Sequence, residues 1–318
     1  MSAPSATESR PSAQPRTRTR VSQRLWRSRT LYLMLLVPVV WLAIYKYAPM
    51  GGILLAFKDY RFSDGILASP WADPWYRYFE QFFTSHYFGQ LLGNTLLISA
   101  YKILWGTVPS LVLALLLNEC RVRWLVRWTQ TLSYMPHFLS WVIVFGITLA
   151  FLSYTGVVNT ALRQWTGESF SFLTSTSWFR SILVGSFAWQ GLGWGSIIYL
   201  AAMAGVDPQR YEAAKIDGAN RLRQMWHVTL PSIRPVIILL LILNLGNIME
   251  AGFEQVYIFY NPQVYPVADI IDTWVYRTGL EDLNFPLASA VGLFKSVVGF
   301  ILIIVANQLA KRWDGAIW

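Results

Sequence analysis

Cysteine, histidine and charge are all scarce in this 318-residue sequence, and each scarcity removes a class of protein. A single cysteine, Cys120, excludes an intrachain disulfide and any cysteine-clustered metal site. Three histidines, His86, His137 and His227, are scattered along the chain and give no pattern for a metal centre. No Gly-x-x-x-x-Gly-Lys-Ser/Thr phosphate loop occurs, and no nucleophile, base and orienting acid gather, so neither an ATPase nor an acid–base enzyme is expected. Charged residues amount to 14% against 54% hydrophobic, too few for two ordinary soluble domains, and the bilayer is the expected solvent.

What is abundant fits that solvent. Sixteen Trp and sixteen Tyr suit membrane interfaces, although such rings also stack on sugar faces. Apolar runs of spanning length fall at 31–57, 89–117, 132–153, 182–203, 235–251 and 286–309, each near the ~20 residues that cross ~30 Å of hydrocarbon. They do not alternate as barrel strands would, so the expected fold is an all-α membrane protein with six transmembrane helices. Pro38, Pro49 and Gly51-Gly52 predict a kink or an early end in the first span. Residues 1–30 carry seven Arg and one Glu among Ser, Pro and Thr, the composition of a disordered basic tail. The six-helix domain is expected over 31–312, with a coupling loop at 204–234 and a C-terminal end at 313–318.

The net charge of +9 suggests nucleic acid until its distribution is read. Outside the spans, Lys and Arg number seven in the tail, three over 118–131, five over 204–234 and two at the C-terminal end. The alternating segments 58–88, 154–181 and 252–285 hold three, two and one. By the positive-inside rule both termini are cytoplasmic, and topogenic charge accounts for the +9 without nucleic acid. The segment 250–282 has six carboxylates against Arg277 and belongs outside.

Between the fourth and fifth runs, Asp207-Pro208 offers an N-cap and a first-turn proline for a helix. Tyr211, Ala214, Ile216 and Ala219 then form an uneven apolar face. Gly218 breaks it before a second piece around 222–228, and Pro231 and Pro235 are expected to end the element and open the fifth span. On periodicity alone this is equally an interfacial anchor. The pattern Glu212-Ala213-Ala214, three residues, Gly218, nine residues, then Val228-Thr229-Leu230-Pro231 resembles the EAA loop of permeases of binding-protein-dependent ABC importers. Six spans and the external Lys58-Asp59-Tyr60 extend the resemblance to the oligosaccharide and polysaccharide importers. It implies coupling residues at Glu212, Ala213, Ala214, Asp217 and Gly218. It also implies a second permease, two ATP-binding cassette ATPase subunits that carry ATP and Mg, and an extracytoplasmic solute-binding protein, in a bacterial inner membrane. The chain itself has no cofactor. The rivals are a membrane enzyme, for which no acid–base or metal constellation is visible, and a self-contained secondary transporter or channel, which has no use for such a loop.

Polar groups within spans mark candidate substrate contacts. Asn244, Asn247, Glu250 and Glu254 follow one another at three, three and four residues, which predicts one helical stripe. Interhelical hydrogen bonding is the alternative use of such Asn residues. The resemblance to the maltose-type permease aligns Asn247, Gly191 and Trp194 with sugar-contacting positions. In Trp189-Gln190-Gly191-Leu192-Gly193-Trp194, glycines open space beside aromatic faces, with Trp189 as suited to core or lipid as to substrate. Lys46, Lys102 and Lys295 lie inside spans one, two and six, and no carboxylate lies within a span interior to match them. Snorkelling explains any one of them; three together point to an aqueous path for an anionic saccharide such as an alginate-type uronate.

Overall fold

The computed structural model describes residues 29–311, without the side chains of residues 309 and 310. The basic tail expected over 1–30 lies outside them except for its last two residues, and the C-terminal end lies wholly outside. The described residues are almost entirely helical, with a lone antiparallel bridge between Lys58 and Trp71. The chain divides into two units, Met1–Gly52 and Ile53–Trp318.

In the first unit, α1 (Arg29–Leu42) carries Pro38 without ending, then passes into a π turn at Ala43–Tyr47 and a 3-10 stretch that begins at Ala48. The kink expected here is a change of helix type. A π turn also stands at Met225–Thr229, two residues before Pro231, as the first stands two residues before Pro49. A proline ring clashes with the carbonyl four residues back and supplies no N–H, and widening the preceding turn relieves that conflict.

The second unit contains α2 (Arg77–Phe83), α3 (Phe88–Glu119), α4 (Arg123–Tyr134), α5 (Trp141–Leu152), α6 (Val157–Thr166), α7 (Thr176–Ala204), α8 (Pro208–Ile216), α9 (Leu230–Gly246), α10 (Phe253–Phe259), α11 (Ile271–Tyr276) and α12 (Phe285–Lys311). Among the described residues, five stretches are long and apolar enough to cross a membrane: Arg29–Phe57, Phe88–Glu119, Trp141–Thr166, Arg221–Gly246 and Phe285–Gln308. α7 has the length, at 29 residues, but its Gly, Ser and Gln190 make it less apolar. The third run, expected as one helix over 132–153, is broken between α4 and α5 by the 3-10 turn Met135–Phe138. Pro136 opens that turn, and Ser140 is extended before α5.

α3 and α7 pack along each other and carry the framework. One apolar cluster joins Ile98, Val144, Phe179, Leu183, Val256 and Phe259, drawing α3, α5, α7 and α10 together. A second joins Phe82, Leu91, Met249, Ile271, Leu287 and Val291. A third, Ala114, Leu115, Tyr199, Met203 and Ile233, ties α3, α7 and α9 at the end nearest α8. The first two clusters hold the opposite end, where α10 and α11 lie.

The glycines of α7 have different tasks. Gly191 has open space around it, whereas a Cβ on Gly193 would run into the Ser133 carbonyl and one on Gly195 would come 2.7 Å from Ser110 Oγ. The expectation that glycines open space therefore holds at Gly191, while Gly193 and Gly195 serve close helix approach. Gly193→Ala is expected to cost about 1–3 kcal/mol by overpacking against backbone. Gly191→Ala should stay within ~0.5 kcal/mol. Thermal denaturation of the detergent-solubilised complex compares the two.

Candidate functional site

At one end of the bundle, Asp207 caps α8 by accepting the Gln209 N–H at 3.0 Å, with Pro208 in the first turn. Gly218 breaks the helix with φ +76°, a left-handed conformation that costs a side-chain-bearing residue about 1–2 kcal/mol. Asn220 then caps the short helix Arg221–Gln224 by accepting the Arg223 N–H. The second piece does not stop at Pro231. It runs through the π turn into α9, with Pro231 in the first turn and Pro235 inside.

Side-chain contacts fix the loop to the bundle, among them a hydrogen bond from Arg210 to Ser232 Oγ at 3.2 Å. The Tyr211 hydroxyl lies 3.0 Å from buried Thr229 Oγ1, and Arg221 reaches the Glu119 carbonyl at 3.0 Å. Tyr211 and Ala214 are half-buried, while Glu212, Ala213, Asp217 and Gly218 are exposed. The uneven apolar face expected for this helix thus divides: Tyr211 and Ala214 face the protein, and Ile216 is 87% exposed.

In the second unit, α3, α7, α9 and the residues that follow α9 line a half-open cavity of about 450 Å³. Gln190, Gly191, Trp194, Asn244, Asn247 and Lys102 all line it. These six candidates, drawn from three separate apolar runs, converge. The Gln190 amide donates to the Leu139 carbonyl at 2.8 Å and so fixes the link before α5 as well as facing the cavity. Trp194 stacks on His137 with ring centroids 4.4 Å apart and planes 5° from parallel, and remains nearly half exposed. Trp189 is not among the lining residues.

The helical stripe expected through Asn244, Asn247, Glu250 and Glu254 does not form. α9 ends at Gly246, Asn247 caps it, and i→i+3 bonds from Asn247 N–H to Asn244 O and from Glu250 N–H to Asn247 O tighten the chain into turns. Ala251 and Gly252 follow at φ +48° and +74°, and Glu254 belongs to α10. Asn244, Asn247 and Glu250 reach the cavity through this elbow, and Glu254 does not.

The three lysines separate. Lys102 is buried in the cavity wall, donates to the Ala251 carbonyl at 2.7 Å and lies 5.2 Å from the Phe187 ring centroid. A Cβ on Gly252 would come 2.7 Å from its ammonium, so the glycine leaves the space that Lys102 fills. Among the described residues, no carboxylate forms an ion pair with Lys102. Lys295 is paired, contrary to expectation: its ammonium meets Asp272 Oδ1 at 2.6 Å. Burial pushes the Asp272 carboxyl above the usual carboxylate range, and Lys295 pulls against that shift. The partner comes from α11, which lies outside the apolar runs. Lys46 stands exposed in the first unit.

A second cavity, of about 610 Å³, holds Lys295 and Asp272 and shares Glu250 and Gly252 with the first. Nearby, Arg277 bridges Asp269 at 2.5 Å and donates to the Tyr260 hydroxyl at 3.3 Å. Burial works against its charge, but those hydrogen bonds outweigh it and hold the guanidinium above its usual range. His137, Phe187, Ser99 and Ser110 also line the first cavity, outside the candidates that the sequence marks. The Ser99 and Ser110 hydroxyls are buried there with no hydrogen-bond partner among the described residues. Their spacing of eleven residues on α3, three helical turns, was the available signal.

Residues 106–315 match the family described as binding-protein-dependent transport system inner membrane component. Protein LplB of Bacillus subtilis (strain 168) is 47% identical over 91% of each chain. The polygalacturonan/rhamnogalacturonan transport system permease protein YteP of the same organism is 45% identical over 93% of this chain and 92% of its own. Among solved structures, a chain of a bacterial ABC transporter involved in the import of the acidic polysaccharide alginate superposes with TM-score 0.86. It shares 37% identity and covers 93% of this chain and all of its own length.

Proposed function

The chain belongs to the binding-protein-dependent transport system inner membrane components, as a non-catalytic permease subunit of a sugar ABC importer, and from that premise we propose that it carries an acidic oligosaccharide. The observation that carries this reading is Lys102, a buried ammonium in the wall of the 450 Å³ cavity with no carboxylate partner among the described residues. A uronate carboxylate supplies that partner. Trp194 offers a face to a pyranose ring, and Asn244 and Asn247 offer amides to its hydroxyls. The names of two similar proteins, one for polygalacturonan and rhamnogalacturonan and one for alginate, support the same class of cargo.

The chain forms half of the path, with α7 as the sixth span beside the five apolar stretches, and a second permease forms the other half. It sits in the bacterial cytoplasmic membrane with both termini in the cytoplasm, a reading that the distribution of Lys and Arg supports. Of the two ATPase subunits, which hold ATP and Mg, one seats against α8 and the other against the second permease. The exposed Glu212 and Ala213, the turn at Asp217 and Gly218, and Ala214 packed behind them form that seat. A solute-binding protein delivers cargo at the opposite end, and the access of the cavity alternates with closure of the ATPases.

One observation favours a neutral oligosaccharide as the second reading: Asp272 neutralises Lys295 and reduces the excess of cations. Uptake of oligogalacturonate and of its neutral methyl ester by the importer reconstituted in proteoliposomes separates the two.

A further inference from the structure

Both cavities are lined by Glu250 and Gly252 of the elbow. The second is the outer one, because its lining comes from α12 and from the segment 250–285 that the charge distribution puts outside, and it is large enough for a sugar unit or more. Its walls are not suited to lipid. Lys295 lies ten residues into α12, about 15 Å along the helix, a depth at which an ammonium facing hydrocarbon is costly. The pair it forms with Asp272 at 2.6 Å keeps both side chains about one-fifth exposed, 21% and 19%, where the cavity reaches them.

The remaining lining is mostly apolar, with Val275, Leu280, Phe285 and Ala288 beside the rings of Phe253 and Tyr276. Phe253 and Tyr276 pack with centroids 5.6 Å apart, and Tyr257 braces Tyr276 at 4.9 Å, so these rings are held rigidly. Glu250, Asp272 and Ser289 supply acceptors. Two carboxylates stand beside the single ammonium, so a uronate unit here is held by its ring face and hydroxyls and keeps its own carboxylate turned to the open side. A pyranose is well matched, with an apolar face for the rings and hydroxyl edges for the carboxylates.

We infer that the outer cavity is a second saccharide subsite, which takes the sugar units extending past the elbow from the first cavity, so that the permease reads chain length. This rests on the saccharide reading above and adds a division of labour: Lys102 takes a carboxylate on the inner side, and Phe253, Tyr276 and the Lys295–Asp272 pair take ring faces and hydroxyls on the outer side.

The test uses the complete importer in proteoliposomes with digalacturonate and tetragalacturonate. Tyr276→Leu is expected to raise KM for the tetramer roughly three- to tenfold, the scale of one aromatic contact, and to leave the dimer unchanged. An equal change for both lengths, or none, overturns the subsite. Independently, Ser289→Cys in a Cys120→Ser background places the only thiol in the outer cavity. Its modification by a thiol reagent should be slowed by the tetramer and not by the dimer. Equal protection by both, no protection, or a thiol that the assembled complex buries altogether overturns the proposal, the last because a partner subunit then fills the space. The charge reading fails separately, when Lys102→Met leaves the preference for acidic sugars intact while the length effects persist.

Discussion

Lys102→Met is expected to lower kcat/KM for a trigalacturonate at least about tenfold while leaving a neutral trisaccharide within about threefold. Hydrogen bonds to charged groups contribute about 1.5–3 kcal/mol, which spans roughly ten- to a hundredfold. The native ammonium has the Ala251 carbonyl at 2.7 Å and the Phe187 ring as its contacts, and a carbonyl is a weaker partner than a carboxylate. Met fills a similar volume, so the cavity wall persists without the charge. The variant has a second consequence at the elbow. Ala251 and Gly252 are both left-handed, and Lys102 bonds the Ala251 carbonyl while packing against Gly252. Removing that bond loosens the elbow for every cargo, which is why a modest loss on the neutral sugar is expected as well. Uptake in proteoliposomes with both sugars gives the two ratios, and an equal loss on both would remove Lys102 from charge recognition.

The second large effect is expected at the other end of the bundle. Gly218→Leu should reduce binding-protein-stimulated transport at least about tenfold while the protein still accumulates in the membrane. Left-handed φ at +76° costs a Leu about 1–2 kcal/mol locally. Its side chain also projects from the proposed ATPase seat, and a lost central interface contact costs about 2 kcal/mol or more. Glu212→Arg tests the same surface through charge alone, since Glu212 is exposed and, among the described residues, makes no hydrogen bond or ion pair that a reversal would break. ATP hydrolysis measured beside sugar uptake shows the predicted uncoupling. Normal coupling in both variants would take the ATPase away from α8.

The loop was legible in the sequence because its signals are local. Asp207 caps its own helix, Gly218 takes a conformation that suits glycine, and both effects act within a few residues. The cavity was partly legible: Gln190, Gly191 and Trp194 share one face of α7, and Asn244 and Asn247 carry amides into an apolar run. The elbow was not legible, because Ala251 carries no mark of a left-handed residue and its conformation is held by Lys102 from another helix. The same is true of the Lys295–Asp272 pair. Matching charges within apolar runs assumes that partners lie in other runs, whereas α11 brings a carboxylate in from a connecting segment. His137 entered through the break at Pro136, which turned one expected span into two helices and set the imidazole against Trp194.

The most direct measurement of the central claim is initial uptake, by the reconstituted wild-type importer with its binding protein, of trigalacturonate and of its fully methyl-esterified form. The two share shape and hydroxyls and differ in charge. The account predicts at least about a tenfold preference for the acid, the scale of one charge-assisted hydrogen bond in the cavity. Equal uptake of acid and ester would contradict it.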